Sequence, residues 1–179
     1  VKRKLLGLWN AYIFFNTYAV LDNPNLNGFT PKFEDLIATD KWLVLRTNKL
    51  KEVAVNAYET NTLYTLTKEV EEYLDDLTNW YIRINRKRFW KSEDLDDKQK
   101  AYYCLYSAIK TAIQVLAPIT SFLSEYIWQN LVREMEPDEA ESVLLSSFPS
   151  QDASCKDTSL LKQTEIVRNI IAEAQRLRN

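Results

Sequence analysis

The 179-residue sequence predicts an all-α fold, an up-and-down helical bundle, and three observations carry that prediction. Neither proline nor glycine occurs between Pro31 and Pro118, a span that long helices tolerate and that tight hairpins, which need Gly or Pro punctuation, do not. Apolar residues recur through it at spacings of three and four, the period of a helix with one buried face. Turn formers gather elsewhere, at residues 23–28 and again across residues 134–159.

Four long helices and a shorter closing one are expected in order. The first covers residues 2–20, with Leu5, Leu8, Trp9, Tyr12, Phe15 and Ala19 inward. Thr30 before Pro31 suits a helix start, with Thr as N-cap and proline in the first turn. Asp40 is a second candidate cap, for a helix carrying Trp42, Leu43, Leu50, Val53, Ala57 and Tyr58. The third helix has the cleanest stripe: Leu63, Leu66, Val70, Tyr73, Leu74, Leu77, Trp80, Tyr81 and Ile84. A fourth spans about residues 97–132, with Tyr102, Leu105, Ile109, Ile113, Leu116, Leu123, Ile127 and Leu131 inward, and Pro118 is expected to kink or split it. Residues 134–159 read as a surface connection in which Val143-Leu144-Leu145 packs on the bundle, and Ile166, Ile170, Ile171 and Ala174 open an amphipathic final helix. The chain thus divides into a bundle, residues 1–133, and a connecting segment with closing helix, residues 134–179.

Composition excludes more than it proves. Hydrophobic residues at 46% and charged residues at 27% describe an ordinary globular chain, and no apolar run approaches the roughly 20 residues of a membrane span. A start at Val1 rather than Met suggests a segment cut from a longer protein. With no histidine, imidazole acid–base catalysis and His-containing metal sites drop out. Gly7 and Gly28 are too few for a phosphate-cradling loop. Cys104 and Cys155 have neither metal-ligand nor redox spacing; isolated thiols fit a reducing cytoplasm and leave a lone disulfide open. The net charge of −2 and pI near 5.4 argue against a generally basic nucleic-acid binder, so any such contact must come from a local patch.

One segment offers that patch. Residues 79–91 (Asn-Trp-Tyr-Ile-Arg-Ile-Asn-Arg-Lys-Arg-Phe-Trp-Lys) hold five cations and four aromatics in thirteen positions. Guanidinium groups grip phosphates through paired donors, and aromatic faces stack on unpaired bases. The candidate RNA-binding residues are Arg83, Arg86, Lys87, Arg88, Phe89, Trp90 and Lys91, with Trp80, Tyr81 and Ile84 continuing the core stripe. A plainer reading stands beside this one. Glu69, Glu71, Glu72, Asp75 and Asp76 precede the cations on the same helix, an order that complements the helix dipole and permits spaced ion pairs. Residue chemistry alone leaves both open and leans to the solvated helix end. Arg46 and Lys49 share a face and could extend a basic strip or only aid solubility; Asp75-Asp76 and Asp94 with Asp96-Asp97 read as solvated carboxylates.

The string Asn79-Trp80-Tyr81-Ile82-Arg83 through Arg86-Lys87-Arg88-Phe89-Trp90 resembles the signature helix of the anticodon-binding domain in isoleucyl-tRNA synthetases. Leu8-Trp9-Asn10 with Phe14-Phe15, Asp40-Lys41-Trp42-Leu43, Leu116-Ala117-Pro118-Ile119-Thr120 and Ser142-Val143 with Phe148-Pro149 resemble further segments in the family's order. The last of these resembles a strand-like closing motif. Gly7, where the family often has proline, and Leu144, where it often has histidine, depart from the pattern. The Leu-Ala-Pro segment by itself would fit valyl and leucyl relatives as well, and a helical protein–protein module is the alternative from another class. The resemblance implies an intact cytoplasmic, monomeric protein that attaches isoleucine to its tRNA using ATP and magnesium. Its catalytic and editing domains would precede residue 1, and any zinc site would lie elsewhere. This region would need no cofactor and would have no catalytic residue. Its partners would be the anticodon stem and loop of isoleucine tRNA and the catalytic domain of the same chain.

Overall fold

The computed structural model describes residues 2–150 and 158–178. The helices run up and down in one bundle, and among the described residues there is no strand. Helix α1 (Lys2–Asp22) turns Leu8, Ala11, Tyr12, Phe15 and Ala19 into the core at steps of three and four. Asn23 ends it with a positive φ of 45°, and Gly28, at φ 70°, reverses the chain beyond. Thr30-Pro31 opens no helix. Lys32 and Leu36 are extended around a single 3-10 turn (Phe33–Asp35), which lets Leu36 reach the core. Helix α2 (Ala38–Glu59) starts after Ile37, so Asp40 lies inside its first turn and is not its cap.

The junction to α3 (Leu63–Asp75) shows how this chain turns without glycine. Asn61 takes the left-handed conformation at φ 57°, and the Thr62 N–H donates to the Ala57 carbonyl at 2.9 Å, closing the last turn of α2. From α3 the helix continues unbroken through a π segment (Asp76–Ile82) into α4 (Arg83–Lys91). A π turn takes in one residue more than an α turn, which rotates the remainder of the helix by about 100°. The inward stripe therefore shifts to Tyr81, Ile82, Asn85 and Phe89, while Ile84 is 44% exposed and Trp80 only half-buried. Both depart from the periodicity of the sequence, which puts them in the core.

Helix α5 (Leu95–Leu116) begins two residues before the expected Asp97, because the Asp94 carboxylate caps it, accepting from the Asp96 and Asp97 N–H groups at 3.1 Å. It is the central staff, packed on α1, α2 and α4, with Leu105, Ile109 and Ile113 fully buried. Pro118 splits the fourth predicted helix as expected, and the chain resumes as α6 (Ser121–Ile127), a second π segment (Trp128–Val132) and α7 (Arg133–Met135). Trp42 and Trp128 are core residues; Trp9, expected there too, is half-buried and stacks obliquely on Tyr12 and Tyr126.

Beyond α7 the connection is tied to the bundle by polar contacts. Lys110 bonds Glu136 and Glu139, the Trp128 indole donates to the Ala140 carbonyl at 2.9 Å, and Glu125 accepts from Ser142 and the Val143 N–H. The supposed strand-like motif is a 3-10 turn (Val143–Leu145) that buries Val143 but leaves Leu144 and Leu145 exposed, since a three-residue turn can direct one side chain inward. Helix α8 (Thr158–Arg178) begins well before Ile166 and lies against α2 through half-buried Leu160 and Leu161. Its Ile166 and Ile170 are exposed. Cys104 is a buried free thiol, and Cys155 lies outside the described residues. No described helix is long and apolar enough to cross a membrane.

Candidate nucleic-acid interface

Helix α4 has two chemically distinct sides, and the rotation introduced by the π segment decides which residue lies on each. Asn85 and Phe89 point into the molecule. Phe89 is fully buried, meeting the rings of Phe14 and Tyr102 edge-on at 5.1 Å each, so no base can stack on it. Arg83, Arg86, Lys87, Trp90 and Lys91 all face solvent. Their spacing (i, i+3, i+4, i+7, i+8) puts them on one side of a helix. Trp90 is 55% exposed, and the Lys91 ammonium sits 4.7 Å from its ring centre. None of the four outward cations has a carboxylate partner among the described residues. The acids that precede them on the same helix are used elsewhere or stay in solvent.

Arg88 occupies neither side cleanly. Its guanidinium is turned inward, donating to both oxygens of Asp40 (2.8 and 2.9 Å), to both oxygens of Asp97 (2.9 and 2.7 Å) and to Asn85 Oδ1 at 3.0 Å. Asp40 has no exposure and also accepts from the Tyr81 hydroxyl at 2.7 Å; the Thr39 hydroxyl donates to Asn85 at 3.1 Å. Burial would pull the Arg88 guanidinium down, but its bonds to Asp40 and Asp97 outweigh that and hold it above its ordinary range. The Tyr81 phenol is pushed well up, by burial first and then by the Asp40 charge. With its donors committed to protein acceptors, Arg88 does not offer RNA the paired contacts expected of it.

A second buried charge cluster steadies the approach to α4. Arg46, expected on a surface strip beside Lys49, is 5% exposed and bonds Glu69 and Asp76; only Lys49 remains at the surface. Asp76, expected in solvent, is likewise buried, because it starts the π segment and takes both Arg46 and Arg168 from α8. The Arg168 guanidinium also covers the Trp80 ring at 5.4 Å, which pins α8 across the π segment. Burial lowers the Arg46 pKa and the Glu69 and Asp76 carboxylates more than restore it, leaving it raised.

Sequence reasoning missed Asp40, Asp97 and Asn85 as the holders of α4. The only signal was an excess of acids near an Arg-rich helix, which names no pairing. Of the seven residues singled out in the sequence, the fold turns five to solvent, buries Phe89 and ties Arg88 to Asp40 and Asp97.

Known proteins resemble this chain in sequence. A family described as the anticodon-binding domain of tRNA ligase matches residues 40–179, a span that includes α4 and its partners Asp40 and Asp97. The chain is 38% identical over 179 residues to an isoleucine–tRNA ligase of Thermus thermophilus, covering 99% of this chain and 17% of that protein. Similar relatives include the isoleucine–tRNA ligases of Clostridium novyi, 36% identical over 183 residues (99% of this chain, 17% of that protein), and Methanothermobacter marburgensis, 38% identical over 179 residues (96% and 16%). The chain thus spans about a sixth of the length of these relatives. By the match over residues 40–179, seated on a helical bundle of this kind, the chain belongs to the family of anticodon-binding domains of tRNA ligases.

Proposed function

We propose that this chain grips the anticodon stem and loop of isoleucine tRNA, and that the intact protein joins isoleucine to that tRNA with ATP. The observation that carries the reading is the outward face of α4. Arg83, Arg86, Lys87 and Lys91 stand along a strip roughly 12 Å long, without carboxylate partners among the described residues, and Trp90 sits between them. On an otherwise slightly acidic chain, such a strip of unpaired cations is well placed to neutralise phosphates. An exposed indole beside them suits an unstacked loop base. The relatives, all isoleucine–tRNA ligases by name, support the choice of tRNA. ATP and magnesium would be held outside this chain, whose residues serve binding.

The test is a titration with isoleucine tRNA at several salt concentrations, comparing the chain with its Arg86→Glu, Lys87→Glu double variant. For each phosphate that the variant no longer neutralises, the slope of log affinity against log salt flattens by about 0.7–0.9. Stability shifts by only about 0.5 kcal/mol per exposed substitution. A double variant with unchanged affinity and slope would reduce the cluster to a solvated helix end.

A further inference from the structure

The buried side of α4 carries a device that burial alone does not explain. The helix has nine residues, of which only Asn85 and Phe89 are buried, and it comes after a π segment whose extra residue sets its rotation. One apolar ring holds such a helix down but fixes its rotation poorly, because hydrophobic burial is non-directional. A guanidinium is planar, with five donors in a rigid fork. In Arg88 every one of the five has an acceptor, and the acceptors belong to Asp40 at the start of α2, Asp97 at the start of α5 and Asn85 on α4 itself. A buried ion pair adds little net stability over an apolar equivalent, so stability is a poor reason for three helices to meet through charges here. Direction is a better one.

We infer that Arg88 is a positioning residue for the RNA grip: clamped between Asp40 and Asp97, it locks the rotation that the π segment gives α4, so that Arg83, Arg86, Lys87 and Lys91 meet one RNA backbone together. The inference rests on the reading of α4 as the RNA-facing helix. Arg88 itself touches no phosphate, and its substitution acts through the four residues it aims.

Two variants separate this role from charge and from general stability. Arg88→Lys keeps the charge and removes the fork. Asp97→Asn, at a side chain 27% exposed, changes the net charge from −2 to −1, so electrostatics alone would tighten RNA binding. Leu50→Ala, in the core of α2, serves as a control that is destabilised without touching α4. Each protein is titrated, where circular dichroism shows it folded, with a transcript of isoleucine tRNA across a range of salt. Arg88→Lys and Asp97→Asn are expected to bind more weakly, with the salt slope flattened by about 0.7–0.9 for each phosphate the misdirected face no longer reaches. Leu50→Ala is expected to keep the slope of the unsubstituted chain. If Arg86→Glu, Lys87→Glu weakens binding while Arg88→Lys and Asp97→Asn keep the parent affinity and slope, positioning is overturned and the RNA-facing reading stands. If the unsubstituted chain does not bind, or the Arg86, Lys87 variant binds unchanged, both fall together.

Discussion

Phe89 and Trp90 are neighbours in sequence that α4 turns to opposite sides, so the same substitution at each should fail in opposite ways. Phe89 is fully buried between Phe14 and Tyr102, and its removal leaves a cavity whose walls cannot close, because two rings stand edge-on to it at 5.1 Å. Phe→Ala at such a site costs about 3–5 kcal/mol. Against a usual stability of about 5–15 kcal/mol that is a large fraction. For a chain of this size it lowers the melting temperature by roughly 6–20 °C. Trp90, 55% exposed, loses little on truncation beyond its contact with Lys91. A base stacked on it contributes about 1–3 kcal/mol, so Trp90→Ala should weaken tRNA binding by roughly 5- to 150-fold at near-constant stability. Urea unfolding followed by circular dichroism gives the first quantity and a fluorescence titration with tRNA the second. Phe89→Ala with an unchanged midpoint would remove Phe89 from the core. Trp90→Ala with full affinity would take the only exposed ring of α4 out of the grip.

The buried charges and phenols give two further expected outcomes. Arg46→Ala leaves Glu69 and Asp76 buried without their cation and should cost about 3–5 kcal/mol by urea unfolding; a midpoint near that of the parent would mean the cluster is better solvated than its burial indicates. Tyr73 and Tyr81 are raised above their ordinary value of 10.0, by burial first and, at Tyr81, then by the Asp40 charge. The unfolded chain releases these protons near that value and the folded chain holds them, so stability fully present below pH 10 is lost as pH rises beyond it. In an alkaline titration the last tyrosinate absorbance should appear together with loss of helical signal, and complete ionisation of an intact helical bundle would contradict the burial.

The bundle was legible because its determinants are local and periodic. A stripe such as Leu105, Ile109 and Ile113 needs no partner to be recognised, and Pro118 breaks a helix wherever it stands. What escaped was phase and pairing. The stripe from Leu63 to Leu77 extrapolates at 3.6 residues per turn to Trp80, Ile84 and Arg88. The π segment has no composition of its own, yet it swings Ile84 outward and Phe89 inward. Cations along residues 83–91 look alike in sequence. Only the fold brings Asp40 and Asp97 to one of them, 48 and 9 residues away in the chain, and so separates Arg88 from the four that face solvent. Asp40 reads as a helix cap by type and position, and its burial depends on Tyr81 and Arg88 arriving from another helix.

The central claim is that the outward face of α4 is where RNA is held, and amide chemical-shift mapping tests it most directly. The isotope-labelled chain is titrated with a hairpin carrying the anticodon stem and loop of isoleucine tRNA. The expected shifts concentrate at Arg83, Arg86, Lys87, Trp90 and Lys91, with the indole signal of Trp90 moving and that of buried Trp128 still. Saturable shifts confined to another surface, such as the exposed Phe122 and Tyr126 of α6, with α4 unmoved, would contradict it.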